Sequence, residues 1–176
     1  LDHPEQMPLK DGVDIVRVFY EPNAEWDYIR YVMKTVDCDF KGIKVAIDCA
    51  NGSASRVAPK LFEGLGASCV FIHNQPDGTN INENCGSTHI EDLQRTVVEK
   101  KCDLGLAFDG DADRCLAVDE NGQLIDGDKL LAIFSKFMKV QGKLKSNTCV
   151  VTVMSNLGFF KFAEGEGINA TTTAVG

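Results

Sequence analysis

The chain has 176 residues, 44% of them hydrophobic and 25% charged, and a formal net charge of −8. These proportions belong to a soluble globular protein and exclude collagen, coiled coil and low-complexity linker. An acidic balance with scattered basic residues argues against nucleic acid as a partner. With no apolar run of about 18 residues and no basic leader segment, the reading is a cytoplasmic protein without a membrane partner. Seven cysteines, an odd number with no Cys-x-x-Cys pair, favour reduced and mostly buried thiols over a disulfide framework or a zinc site.

Residues 1–24, with Pro4, Pro8 and Pro22, lack periodicity and read as a tail or linker. Trp26, Ile29, Val32 and Met33 then recur at helical spacing, which predicts a helix over 26–36. Lys44 to Cys49 alternates with period two in a short strand. Asn51-Gly52-Ser53 is a turn or cap signal, and its N–H groups are also candidates to hold an anion at a helix N-terminus. Ala54, Val57, Ala58, Leu61, Phe62 and Leu65 line one face of a helix ending at Gly66. Pro59 fits only if that helix starts near Ser55, so that the missing N–H falls in the first turn.

A strand over 67–72 follows, then a polar loop over 73–87. Thr88 with Glu91 forms a capping box for a helix carrying Ile90, Leu93, Val97 and Val98. Residues 103–108 make a third strand. Cys115 to Val118 and Leu124-Ile125 flank Asn121-Gly122, a hairpin signal. Strands alternating with helices predict an α/β fold: a mixed, mainly parallel sheet with helices packed against it, complete over 25–125. Asp126 and Asp128 cap the next helix, and a strand over 148–154, a helix over 157–163 and a strand over 168–175 begin a second, incomplete α/β unit over 126–176. Phe134, Phe137, Phe159 and Phe160 fall on helical faces and read as core.

One segment resists a stability argument. Asp109, Asp111 and Asp113 repel one another at i, i+2 and i+4, which is tolerable where they share a hard cation. In an extended strand neighbouring Asp side chains would lie roughly 6–7 Å apart, so the loop must curve, and Gly110 and Ala112 permit it. The loop also follows a parallel strand, at the sheet edge where α/β proteins bind ligands. Asp109, Asp111, Asp113 and Glu120 match an EF-hand spacing, but Arg114 stands where the sharp turn needs glycine and the flanks read as strands. A divalent ion among three aspartates leaves a charge near −1, and Arg114 beside it makes room for another anion, a phosphoryl group being the natural guest. The plainer role for Arg114 is a local ion pair that neutralises the loop. His73, on the ligand-facing edge, has no partner in view, and His89 sits in the first turn of a helix as a surface residue.

Phe108-Asp109-Gly110-Asp111-Ala112-Asp113-Arg114 resembles the metal-binding loop of the α-D-phosphohexomutases. Residues 48–52 (Asp48-Cys49-Ala50-Asn51-Gly52), 80–82, 85–89 (Cys85-Gly86-Ser87-Thr88-His89), 126–128 and 154–158 resemble further family segments in family order. The set is closer to the phosphoglucosamine mutase branch than to the phosphomannomutase branch. Ala112 stands where many members have glycine. The resemblance implies a four-domain enzyme in which a phosphoserine exchanges a phosphoryl group with a phosphosugar through a bisphosphate, here glucosamine 6-phosphate to glucosamine 1-phosphate. It implies Mg²⁺ as cofactor, Asp109, Asp111 and Asp113 as its ligands, and Arg114 as a catalytic residue beside the phosphoserine. A phosphosugar substrate and the missing domains of the same chain are the implied partners. None of Ser53, Ser55, Ser68, Ser87, Ser135, Ser146 and Ser155 has the Ser-His-Asn-Pro type of context of the family's phosphoserine loop. The expectation is therefore a second domain and the opening of a third, inactive alone and weak in metal binding. The competing readings are a fragment of a phosphomannomutase or phosphoglucomutase, a non-catalytic cation-binding α/β module, and a nucleotide-binding fold. The last is weakened by the lack of Gly-x-Gly-x-x-Gly or a Walker loop after the first strand.

Overall fold

A computed structural model describes residues 19–175. Most of the tail expected over 1–24, residues 1–18, lies outside the described residues. Its end belongs to a helix, because α1 (Ala24–Met33) starts at Ala24 and stops three residues short of the expected end. Five strands, β1 (Lys44–Asp48), β2 (Ser68–Ile72), β3 (Leu104–Phe108), β4 (Cys115–Asp119) and β5 (Leu124–Ile125), form one sheet in the order β2-β1-β3-β4-β5. The first three are parallel, and β4 and β5 return antiparallel. The helices α2 (Ala54–Gly64) and α3 (Glu91–Lys100) supply the crossovers.

Helices on both faces explain the burial of β1. Its period-two pattern does not produce one wet face, since Val45 to Asp48 are all buried. Val45, Ile47 and Cys49 pack with Ala54 and Ala58 of α2, while Ala46 packs with Leu93 and Val97 of α3, Ala107 and Val118. A parallel strand between two neighbours and two helix layers has no solvent side. On the α2 side, Glu25 of α1 is ion-paired to Lys60 and Arg56 of α2, and the Lys60 ammonium lies 5.2 Å from the centre of the Trp26 ring.

Three local expectations are corrected. Pro59 is the sixth residue of α2, in its second turn and not its first, so the Ser55 carbonyl loses its helical donor. Thr88 does not cap α3: it ends a 3₁₀ turn over Gly86–Thr88, and α3 starts from Ile90 without a side-chain cap. His89 lies in the short link between the two, not in a first helical turn. The hairpin at Asn121-Gly122 exists, but its loop is three residues long. Gly122 donates to the Asp119 carbonyl and takes φ +78°, while Asp119 donates to the Gln123 carbonyl, a turn followed by a left-handed glycine.

Beyond Ile125, Asp126 caps α4 (Gly127–Val140) by accepting the Lys129 N–H at 2.9 Å. Asp128 makes no cap; its carboxylate accepts the Asn156 N–H. The strands β6 (Thr148–Thr152) and β7 (Asn169–Thr173) pair in parallel around α5 (Leu157–Gly165). Phe159 is buried with Val151, Ala163 and Ile168, and Phe160 packs against that cluster. Phe134 and Phe137 are not core, being 57% and 61% exposed. Leu131 and Ala132 of α4 pack on the cluster that includes Phe159 and Ala163 of α5, and the opposite stripe of α4 stays bare. The seven cysteines are free thiols; Cys49, Cys85 and Cys102 are buried, while Cys38 and Cys115 are exposed. No helix among the described residues is long and apolar enough to cross a membrane.

Candidate metal-binding site

The loop from Asp109 to Arg114 leaves the carboxyl end of the central strand β3, beside the carboxyl end of its parallel neighbour β1. Its curve comes from a turn in which Ala112 donates to the Asp109 carbonyl and itself takes φ +60°. Ala112 is thus the left-handed residue. Gly110 serves close approach instead: a Cβ there would meet the Asn82 amide nitrogen at 2.6 Å and Ile81 at 2.8 Å.

One carboxylate oxygen from each of Asp109, Asp111 and Asp113 lies within 4.8 Å of the others. Asp109 is buried and held at both oxygens, Oδ1 by the Arg114 N–H at 3.0 Å and Oδ2 by Arg114 Nε at 2.7 Å. Burial works to raise its carboxyl, but the Arg114 N–H, guanidinium hydrogen bond and charge outweigh it and hold Asp109 below the usual range. Asp111 and Asp113 are exposed. The charges of Asp111 and then Asp109 push the Asp113 carboxyl up, against a smaller pull from Arg114. The single arginine leaves the loop under-neutralised, which is the electrostatic demand a divalent cation satisfies. Arg114 makes the local ion pair considered for it, with Nε on Asp109, while its side chain stays 68% exposed. Its flank opens on a recess of about 350 Å³ lined by Ser87, Thr88, Cys115 and Leu116.

The Asn51-Gly52-Ser53 turn is not an anion cradle. Asn51 donates to the His73 carbonyl, Gly52 to the Cys49 carbonyl and Ser53 to the Gly110 carbonyl, so all three N–H groups are consumed. Ser53 makes no side-chain cap either.

A second cluster was not legible in the sequence. Asp48, His73 and Cys85 also bring ligand-type atoms within 4.8 Å of one another. Asp48 is completely buried, and its carboxylate already accepts three donors: Ala50 N–H at 2.8 Å, Gly86 N–H at 3.0 Å and His73 Nδ1 at 2.9 Å. Burial, aided by Asp48, raises the Cys85 thiol, away from the thiolate a metal needs. A metal there would compete with the donors already on Asp48 and would need a thiol that burial keeps protonated. The acidic loop offers three carboxylates and asks for no thiol ionisation. The signal for Asp48 was a lone carboxylate inside an apolar strand, a residue that needs partners if both strand faces are covered.

Comparison with known families matches residues 26–122 to phosphoglucomutase/phosphomannomutase, alpha/beta/alpha domain II, and residues 126–176 to alpha/beta/alpha domain III. The chain belongs to the phosphoglucomutase/phosphomannomutase family. Among curated relatives, phosphoglucosamine mutase of Acetivibrio thermocellus is 53% identical over 176 residues, which is all of this chain and 39% of that protein. Phosphoglucosamine mutase of Clostridium beijerinckii is 54% identical over 172 residues, 98% of this chain and 38% of that protein. The chain therefore spans less than half the length of these relatives. Among solved structures, a phosphoglucomutase/phosphomannomutase family protein from Burkholderia thailandensis superposes with TM-score 0.72 at 24% identity, over 86% of this chain and 33% of that one. An N-acetylglucosamine-phosphate mutase in its apo form superposes with TM-score 0.61 at 22% identity, over 86% and 36%. At such identities these two speak for the fold.

Proposed function

We propose that this chain is the metal-binding part of a phosphoglucosamine mutase, with Asp109, Asp111 and Asp113 as ligands of Mg²⁺ and Arg114 as the adjoining phosphoryl-binding residue. In this reading 25–125 is the domain that carries the loop and 126–176 opens the next. The observation that carries it is the meeting of three aspartates on one under-neutralised loop, in a chain about half identical over its whole length to proteins of that name.

Mg²⁺ in the loop supplies charge neutralisation to a phosphoryl group during transfer. Asp109, buried and locked by Arg114, would be the rigid ligand, and exposed Asp111 and Asp113 would complete the set. Arg114 spends Nε on Asp109 and keeps its terminal nitrogens for phosphoryl oxygens. The phosphosugar, the phosphoserine and the remaining domains belong to the longer protein, and a cytoplasmic location fits its phosphosugar chemistry.

The test is to titrate the chain with Mg²⁺ and Mn²⁺ by calorimetry. Asp111→Asn is expected to weaken binding roughly tenfold or more, since it removes a charged ligand; equal binding by both chains removes the loop from the proposal. In the full-length protein, preference for glucosamine 6-phosphate over mannose 6-phosphate supports the mutase branch named here, and the reverse preference moves it to phosphomannomutase.

A further inference from the structure

Among the described residues the Asp48 carboxylate makes no hydrogen bond to the acidic loop, yet the backbone around it leads there on two sides. Its Oδ1 accepts the Ala50 N–H, which fixes the turn after β1 where Ala50 and Asn51 both take φ near +50°. That turn touches the acidic loop directly. Ser53 donates to the Gly110 carbonyl at 2.8 Å, and Gly52 lies so close that a Cβ on it would meet the Gly110 oxygen at 2.3 Å. The Ala50 carbonyl also accepts the Asn82 N–H, and the Asn82 amide packs on Gly110.

The other side runs through Oδ2, which accepts the Gly86 N–H. Gly86 takes φ +75°, and a Cβ on it would meet the Phe108 carbonyl oxygen at 2.5 Å and Ala50 Cβ at 2.6 Å. Gly86 is therefore wedged between the last residue before Asp109 and the turn after β1. His73 Nδ1 completes the set on Oδ2, and its Nε2 lies 3.4 Å from Asp92 of α3. A carboxylate can only accept, so Nδ1 carries the proton and the ring orientation is set.

We propose that Asp48 is the positioning residue of the acidic loop: by gathering the Ala50 and Gly86 N–H groups and His73, it holds the two backbone segments against which Phe108 and Gly110 are seated. The proposal rests on the reading of that loop as a divalent-metal site. Three mutually repelling aspartates have no reason to stay converged unless the backbone beneath them is held. Groups behind a metal's ligands commonly govern affinity in this way. Asp48 does so through backbone contacts.

The experiment uses the 176-residue chain and Mn²⁺ as probe, with affinity read by water-proton relaxation and the folded fraction checked by circular dichroism. Amide exchange of Ser53 is followed beside that of Leu106 in the sheet. Asp48→Asn keeps the size but replaces one acceptor oxygen with a donor group. Its expected result is roughly tenfold weaker Mn²⁺ binding by the folded chain and faster Ser53 exchange, with Leu106 unchanged. A merely structural role would lower stability and leave the affinity of the folded molecules alone. His73→Ala removes one donor from a partly exposed position and is expected to weaken binding about threefold; it decides the matter if Asp48→Asn does not fold. Unchanged affinity and Ser53 exchange in the folded variant overturn the proposal. If the wild-type chain binds no Mn²⁺, the metal reading falls and takes this one with it. If wild type binds, Asp111→Asn does not and Asp48→Asn binds normally, the positioning role alone is lost.

Discussion

The sheet of β1 to β5 is covered by helices on both faces, whereas the β6-β7 pair is two strands wide and thinly covered. Ile47, in the centre of the first, is wholly buried among residues of α2, β2 and β3. In the second, Val150, Val153, Met154 and Leu157 are mostly exposed, as are Ile133, Phe134 and Phe137 of α4. The acidic loop stands on the first region. A cluster of like charges strains whatever backbone holds it, and that region offers the core in which Asp48 and Asp109 are buried.

The comparison breaks if the two regions respond alike to truncation. Ile47→Ala is expected to cost about 3 kcal/mol through lost burial and a residual cavity, while Phe137→Ala should stay within about 0.5 kcal/mol because its ring faces solvent. Urea denaturation of both variants measures the contrast, and comparable losses would mean that the α4 face is as well covered as the centre of the larger sheet. A smaller effect sharpens the picture of strain in the loop. Ala112 sits at φ +60°, so Ala112→Gly relieves a left-handed alanine while loosening the unfolded chain. The expected net gain is about 0.5 kcal/mol, read as a small rise in melting temperature. A loss would show that the alanine methyl makes a contact worth more than the strain.

The smallest effect lies at the outer layer of the first region and depends on pH. The Lys60 hydrogen bond, against the opposing effect of burial and with the charges of Arg56 and Lys60, holds the Glu25 carboxyl below the usual glutamate range. Its folded value being lower, the link between α1 and α2 is present above the unfolded value and is lost as the pH falls through the folded one. Trp26, the sole tryptophan of the chain, reports on this beside Lys60. Its emission is expected to shift on acidification in the wild type and to show the acid-like signal already at neutral pH in Glu25→Gln. A pH-independent emission would detach α1 from the ion pair.

Much of the first region was legible because its signals are local. The apolar runs of β1 to β3, the helical stripe from Ala54 to Leu65 and the Asp109–Arg114 loop each lie within a dozen residues. Where reading failed, a longer-range contact overrode a local cue. Thr88 and Glu91 have the spacing of a cap, yet Gly86 is pulled to Asp48 and the helix starts later. Asn51-Gly52-Ser53 has the look of an anion cradle, yet its N–H groups are taken by carbonyls of other loops and of Cys49. Phe134 and Phe137 keep a helical spacing that says core, but burial needs a covering surface, which no pattern within α4 specifies.

By itself the sequence determined the element types, the parallel order that follows from alternating strands and helices, and the grouping of three aspartates within five positions, because spacing and chemistry along the chain suffice for each. The tertiary structure decided that Asp109 is the buried aspartate and Asp111 and Asp113 the exposed pair. It also decided that Asp48, His73 and Gly86, spread over 38 positions, meet beneath the loop. A hydrogen bond depends on distance in space, and only the assembled fold brings those residues within reach of one carboxylate.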